Sequence, residues 1–536
     1  MFKSLLLVLL ISEVLTSNQT RPNIVFILAD DLGWNDVGFH GSDQVPTPNI
    51  DALAYSGVVL NNYYVLPVCT PSRSALMTGM HPIHTGMQHH VLFANEPWGL
   101  PLREKVLPQY LKELGYVNRM VGKWHLGHFR ASYTPTHRGF DSHYGYWSGH
   151  QDYYDHTAQD SLRYWGYDMR RDMEVHWKSY GHYTTDLFSE EAVDIIRRHD
   201  TTQPLFLYLA HLATHSANPY RPLQAPASTV KKFSYIADKN RRTFAGMLSK
   251  LDQCVGDVVV ALAEQEMLNN SIIIFSTDNG GPAAGFNENA ASNWPLRGVK
   301  DTVWEGGVRG VGLIWSPLIS SAPRVANHLM HIQDWLPTLL YAVNGSTFEC
   351  LDGHNVWANI ATGSLTSYDD LLINIDNQRN FAALRKGDWK LIKGRTWNGS
   401  WDGWYGPSGR KPSYHYNVSL IYSSPAGVAL ANTSAALPTD PRDVLKMREH
   451  AQVSCGSQTG NITCAGPHAV CLYDLKQDPC EIDNLYHKYP QKVAELQELL
   501  ERYNATVVPP NNKEADPKSN PKFWNYTWTN WMDKLQ

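Results

Sequence analysis

Four side chains with hard oxygen donors stand in two short runs, Asp30-Asp31 and Asp278-Asn279, with no soft donor among them. Such a set suits calcium or magnesium. Calcium is the better match, because carboxylates sharing a site with a substrate oxygen suit its irregular, higher coordination. A third run, Cys69-Thr70-Pro71-Ser72-Arg73-Ser74-Ala75-Leu76-Met77-Thr78-Gly79, puts a guanidinium four residues after a thiol. Pro71 has the backbone angle of a first helical turn, and Thr70 or Ser72 is expected to cap a helix opening near Ser74, with amides aimed at an anion. Continued helical geometry puts Arg73 on the face of Cys69. Lys123 and His125 end the run 115–125; in an extended segment they project to one side and can share a ligand.

These groups need elements that bring them together. Residues 23–29, 205–209 and 271–275 are apolar runs of the length and branching expected for strands buried on both faces. The first ends in Asp30-Asp31, the second is followed by His211 and His215, and the third by Asp278-Asn279-Gly280-Gly281. Open α/β sheets bind ligands beyond the carboxyl ends of their strands, so one crevice can collect all these residues. Helical patterns lie between the runs: Leu107, Tyr110, Leu111 and Leu114 precede Gly115 in a C-cap position, and residues 244–262 form a longer one around Cys254, expected to be a core thiol. The alternation predicts a layered α/β domain. Beyond Asn344 the pattern changes to a hairpin around Lys386-Gly387-Asp388, a loop-rich stretch at 394–441, and a helix at 491–503, which predict a smaller α+β domain.

The 536 residues exceed the usual size of one core, and two domains are expected, at 18–344 and 345–536. A net charge of -5 without a basic run excludes a nucleic-acid partner on electrostatic grounds. Residues 1–17, with Lys3 before an apolar stretch and small Ser17 near a cleavage point, read as a secretory signal too short to span a membrane. After its removal no membrane association is expected. Acceptor triplets at Asn18, Asn269, Asn344, Asn398, Asn417, Asn432, Asn461, Asn504 and Asn525 fit a glycoprotein of that pathway, lysosomal or extracellular. Setting Cys69 aside leaves six of the seven cysteines. Cys455, Cys464, Cys471 and Cys480 read as a local disulfide staple with three possible pairings rather than a zinc site, since no Cys-x-x-Cys occurs.

The run from Cys69 to Gly79 resembles the signature of the sulfatase family, in which the cysteine becomes formylglycine. Residues 115–125 resemble its second block, with Asn118 where the family usually carries serine or threonine. Asn293-Trp294-Pro295-Leu296-Arg297-Gly298-Val299-Lys300 and Trp304-Glu305-Gly306-Gly307-Val308-Arg309 are similar to segments of its arylsulfatase B-like group, and the resemblance runs from Asn23 almost to the C-terminus. It implies an alkaline-phosphatase-like α/β domain, with a large, mostly parallel sheet between helices, and a C-terminal α+β domain with a short antiparallel sheet. It further implies one Ca2+ held by Asp30, Asp31, Asp278, Asn279 and modified Cys69. Arg73, Lys123, His125, His215 and Lys300 would contact the sulfate, with His215 preferred to His211 because the family places this histidine just ahead of a Pro-containing loop.

The implied reaction is hydrolysis of a sulfate monoester, with a formylglycine-generating enzyme as biosynthetic partner. The hydrated aldehyde attacks sulfur, His215 with Lys300 protonates the leaving oxygen, and His125 takes a proton from the second hydroxyl to release sulfate. The group resemblance implies sulfated N-acetylgalactosamine as substrate. Sulfated plant metabolites such as glucosinolates and simple aryl sulfates would use the same groups. Rival readings are a phosphatase or phosphodiesterase of the same fold and a silent carbohydrate-binding protein. Tyr153, Tyr154, Trp165, Trp294 and Trp401 could line a ring pocket, but most are expected to be structural.

Overall fold

The computed structural model describes residues 21–346, 350–364, 368–455, 463–464 and 469–535. The signal segment and the triplets at Asn18 and Asn461 lie outside them. The strand Asn23–Ala29 is fully buried because its two faces feed different cores. Val25, Ile27 and Ala29 join one cluster with the helices Pro48–Ser56, Thr184–Arg197 and Lys239–Glu264. Ile24, Phe26 and Leu28 join another with Cys69–Thr78, Leu107–Glu113 and Trp335–Ala342. Period-two alternation thus converts one apolar run into the middle of a three-layer sandwich, each large side chain contributing about 1.5–3 kcal/mol by burial.

That strand pairs in parallel with Leu205–Ala210 on one side and Ser271–Thr277 on the other. Val117–Lys123 and Ser142–Tyr146 continue the parallel set beyond Leu205–Ala210. Beyond Ser271–Thr277 lie Gly312–Trp315 and Val58–Leu60, each antiparallel to its inner neighbour, and then Arg324–Ala326. Arg170–Arg171 and Glu174–Val175 complete ten strands at the opposite edge. A separate antiparallel sheet runs Asp370–Asp376, Phe381–Lys386, Trp389–Lys393, Val470–Asp474. Val493, Leu496, Leu499 and Leu500 of the Pro490–Asn504 helix pack on it. The expected large, mostly parallel sheet between helices and the small antiparallel sheet are both present.

The chain after 345 does not all serve the small sheet. Ile421, Ala426, Leu430, Val444 and Met447 bury in the core of the large one, reached through the short helix Pro425–Leu430 and the helix Pro441–Ala451. The stretch that reads as loop-rich therefore returns to the first layer. Cys455 pairs with Cys480 and Cys464 with Cys471, which fixes the open pairing and leaves these thiols no metal role. Cys254 is buried and Cys350 exposed, both unpaired, so an even count did not mean full pairing. Among the described residues no helix is long and apolar enough to cross a membrane.

Candidate active site

The helix opens at Cys69 itself, one turn earlier than its sequence suggests, with extended Val68 as N-cap. Neither expected cap acts as one. The Ser72 hydroxyl takes the Leu66 amide at 2.9 Å, and the Thr70 hydroxyl takes the Leu92 amide at 3.1 Å and donates to the His125 carbonyl at 3.3 Å. They tie neighbouring loops to the helix start. Pro71 fits the first turn, where its missing N–H would have no partner. Cys69 is 2% exposed and lies at the wall of a cavity of about 260 Å³.

Arg73 shares the helix face of Cys69, and its Nε and Nη2 donate to Asp278 Oδ2 at 3.1 and 2.7 Å. Its Nη1 donates to the Lys123 carbonyl at 3.3 Å, tying the helix to the end of the Val117–Lys123 strand. Lys123 Nζ reaches Asp30 Oδ2 at 2.7 Å, and Lys300 Nζ reaches Asp31 at 2.8 Å. Three carboxylates thus face three cations in a layer with no solvent exposure. Burial, then the Lys300 charge opposing it, leaves Asp31 above the usual carboxylate range; burial and neighbouring Asp30 raise Asp278.

Two oxygens in this layer lack a hydrogen bond, although one of them, Asp30 Oδ1, lies 3.6 Å from Arg73 Nη2. Asp30 Oδ1 and Asn279 Oδ1 are buried and accept no hydrogen bond, although Asn279 Nδ2 donates to Asp31 Oδ1 at 2.7 Å. Leaving such acceptors buried costs about 1–3 kcal/mol each unless a ligand supplies the partner. Ligating atoms of Asp30, Cys69 and Asp278 lie within 4.8 Å of one another, as do those of Asp30, Asp31 and His215. The oxygen-rich set fits a hard divalent cation. Gly280 follows Asn279 because a Cβ there would run into the Gly306 carbonyl.

The strand ends at Lys123, so the extended Lys-x-His geometry does not hold: His125 has φ +60, as does Asp31. Such backbone is uncommon outside glycine and favours strand-end positions over-determined by their neighbours. His125 Nε2 contacts the Leu92 carbonyl at 2.8 Å, and its Nδ1 has no partner. His215 Nδ1 contacts the Ser216 carbonyl at 2.6 Å, which assigns the proton to Nδ1 and leaves Nε2 to accept from Asn287 at 3.2 Å and Lys300 at 3.3 Å. Burial first, then the nearby lysines, holds both imidazoles well below their ordinary range.

His211 is elsewhere, against Phe188 with both ring nitrogens unpartnered. The ten sequence-selected residues come together, with Cys69, His125 and His215 lining the cavity and the charged layer of the others adjoining them. Of the candidate ring residues, two are structural as expected: Tyr153 is buried and donates to the His215 carbonyl at 2.9 Å, and Trp294 packs under Arg410. Phe93, Phe286, His150 and Asp160 line the cavity instead, and sequence spacing gave no sign of them. His150 stacks 6.0 Å from His215, while burial pushes Asp160 up to about 7. Asn118 lies near the amino end of the Val117–Lys123 strand, at the opposite end from Lys123, its amide donating to the Pro108 and Gly139 carbonyls at 2.6 and 2.9 Å, which a single serine hydroxyl could not both reach.

Burial also raises the Cys69 thiol, against the pull of Lys123 and Lys300, so an unmodified residue stays protonated and is a poor nucleophile. A crevice of paired charges at the carboxyl ends of parallel strands, with backbone amides and cations around one reactive position, defines a hydrolase of anionic esters. The chain belongs to the sulfatase family, whose model matches residues 22–346. It is 40% identical over 526 residues to arylsulfatase J of Mus musculus, covering 97% of this chain and 82% of that protein. It is 33% identical over 365 residues to N-acetylgalactosamine-6-sulfatase of Homo sapiens, covering 64% and 66%. The crystal structure of Ps i-CgsB superposes with a TM-score of 0.70 at 26% identity, over 92% of this chain and 94% of that one. Its complex with k-i-k-neocarrahexaose gives 0.71 at 25%, over 94% and 97%. The chain is thus a sulfuric ester hydrolase with the alkaline-phosphatase-like fold.

Proposed function

We propose that this enzyme hydrolyses sulfate monoesters on sulfated sugars, using formylglycine formed from Cys69. The observation that carries this is the position of Cys69: at a helix start, beside a cavity, among Arg73, Lys123 and Lys300, with burial opposing thiolate chemistry. The hydrated aldehyde would supply one hydroxyl to attack sulfur and a second whose deprotonation expels sulfate. Asp30, Asp31, Asp278 and Asn279 would hold one Ca2+, with Mg2+ the poorer match, and the ion would polarise oxygens and favour the alkoxide.

Lys123 and Lys300 neutralise charge on the sulfuryl oxygens, and Arg73 orients position 69 while holding Asp278. The contact between Lys300 Nζ and His215 Nε2 keeps the available proton on lysine. The pair then delivers it to the leaving oxygen as one unit. Unpartnered His125 Nδ1 is a free base for the second hydroxyl.

The named relatives support a sulfated N-acetylgalactosamine substrate, with the 4-sulfate the sequence-based expectation and the 6-sulfate the one in a relative's name. Exposed Asn269, Asn344, Asn398, Asn417, Asn432 and Asn525, with two disulfides, support a secretory route ending in the lysosome or outside the cell. A panel of 4- and 6-sulfated N-acetylgalactosamine, para-nitrophenyl sulfate and para-nitrophenyl phosphate, assayed from acidic to neutral pH, tests the reading. Sulfate release from a sugar ester is expected; turnover of the phosphate ester alone would overturn it.

A further inference from the structure

Two aromatic rings stand exposed beside the cavity. Trp165 is 40% exposed and Tyr220 57%, with ring centroids 5.7 Å apart and planes tilted by 36°. Neither lines the cavity itself, but each neighbours a residue that does. Trp165 is the cross-strand partner of Gln159, and Tyr220 follows Pro219; Gln159 and Pro219 both line the cavity.

The two segments are fastened to each other. Asn218 accepts from the Gln159 amide at 2.9 Å and donates to the Thr157 carbonyl at 2.8 Å, locking the loop before Tyr220 onto the Thr157–Gln159 strand. The Tyr220 hydroxyl lies 2.6 Å from Asp152 and 2.7 Å from Asp155, its one proton shared between them, and Asp155 in turn accepts from the Thr157 amide at 2.8 Å. Tyr220 is therefore held by its polar end with its ring outward. Rings fixed in this way lose little freedom on binding a flat apolar face.

We propose that Trp165 and Tyr220 form a stacking platform for the sugar unit next to the sulfated one, so that the preferred substrate is an oligosaccharide rather than a single sulfated ring. This rests on the sulfated-sugar reading above. A cavity of about 260 Å³ is smaller than the usual site for a drug-sized ligand, so a second ring must lie at its mouth, where the platform stands. The C–H face of a pyranose matches an exposed indole or phenol ring. A protein partner would need roughly 800 Å² per side, far more than two rings provide.

The test compares wild type with Trp165→Ala, Trp165→Phe and Tyr220→Ala on three substrates: para-nitrophenyl sulfate, sulfated N-acetylgalactosamine, and a trisaccharide ending in that sulfated sugar. The alanine variants should raise KM for the trisaccharide roughly 5- to 20-fold, with kcat within about twofold and KM for both small substrates unchanged. Trp165→Phe should restore part of the loss. Unchanged activity on para-nitrophenyl sulfate reports correct folding. Equal KM changes on all three substrates, or none on the trisaccharide, overturn the platform while leaving the sulfated-sugar reading intact. Wild type that turns over only para-nitrophenyl sulfate overturns both.

Discussion

Two buried charge clusters among the described residues invite comparison, because one of them lies around Cys69 beside a cavity and the other fastens the small sheet to the rest. Where the small sheet meets the rest, Lys390 Nζ lies 2.9 Å from Glu305 and 2.8 Å from Glu481, the Glu305 amide donates to Glu481 at 2.7 Å, and Tyr64 donates to Glu305 at 2.7 Å. Arg385 donates to the Tyr64 hydroxyl at 2.6 Å, closing the group on itself. Around Cys69 the cluster is equally buried, yet Asp30 Oδ1, 3.6 Å from Arg73 Nη2, and Asn279 Oδ1 accept no hydrogen bond, and the cluster adjoins a cavity. Charge and burial alone do not distinguish function. Acceptors left without hydrogen bonds behind Cys69, which lines a cavity, do.

The largest expected effect separates the clusters by substitution. Lys300→Ala should lower kcat by about a hundred- to thousand-fold, while the thermal midpoint of the calcium-loaded enzyme falls less than in Glu305→Gln because the bound ion would still balance Asp31 once its lysine is gone. Glu305→Gln should do the reverse, destabilising by about 3–5 kcal/mol as Lys390 loses a buried partner, while protein that remains folded keeps kcat within about threefold. Denaturant melts and steady-state rates on the same preparations decide it. Similar losses of stability in both variants would erase the distinction.

A chelator sharpens the contrast next. Removing divalent ions should cut activity by at least about a hundredfold and lower the thermal midpoint, with calcium restoring both more fully than magnesium. The same treatment of Glu305→Gln should lower its midpoint by a similar increment, since among the described residues the junction offers no cluster of metal-ligating side chains. Insensitivity of the wild-type midpoint would argue that the two oxygens without hydrogen bonds are not ligands.

The smallest effect concerns the titratable groups outside both clusters. Burial holds His40, His81, His128, His211 and His331 to about 3, and His143, His156 and His328 to about 4. Each stays neutral in the folded chain and protonates once unfolded, so its stability contribution is full above about 6.5 and is lost as pH falls toward its folded value. Burial raises Asp51 to about 6 and Asp160, Asp252 and Asp334 to about 7, and these pull the opposite way, stabilising as pH falls. The histidines outnumber them. The thermal midpoint should therefore drop on the order of several degrees from pH 7.5 to 5.5, and a rise over that interval would contradict the balance.

How much was legible from sequence follows the same division. The strand-end acids, Cys69, Arg73 and the lysines could be read because apolar runs announce buried strands, and polar residues at their carboxyl ends have one place to go. His215 could be separated from His211 only by its place in a family pattern. The helix start at Cys69 was missed because Val68 caps without a polar side chain. Phe93, His150 and Phe286 were invisible, since cavity walls assembled from distant loops leave no periodicity. The role of Glu305 at the sheet junction was hidden too: its motif was plain, its partners Lys390 and Glu481 lie far along the chain, and only the fold brings them together.

The central claim is that position 69 acts as an aldehyde. Mass analysis of the peptide spanning Cys69, from protein made in a secretory pathway, should find formylglycine in place of the thiol, in proportion to specific activity across preparations. Cys69→Ser should then accept one sulfate without turning over. A peptide carrying only unmodified cysteine in fully active enzyme, or sustained turnover by Cys69→Ser, would contradict the account.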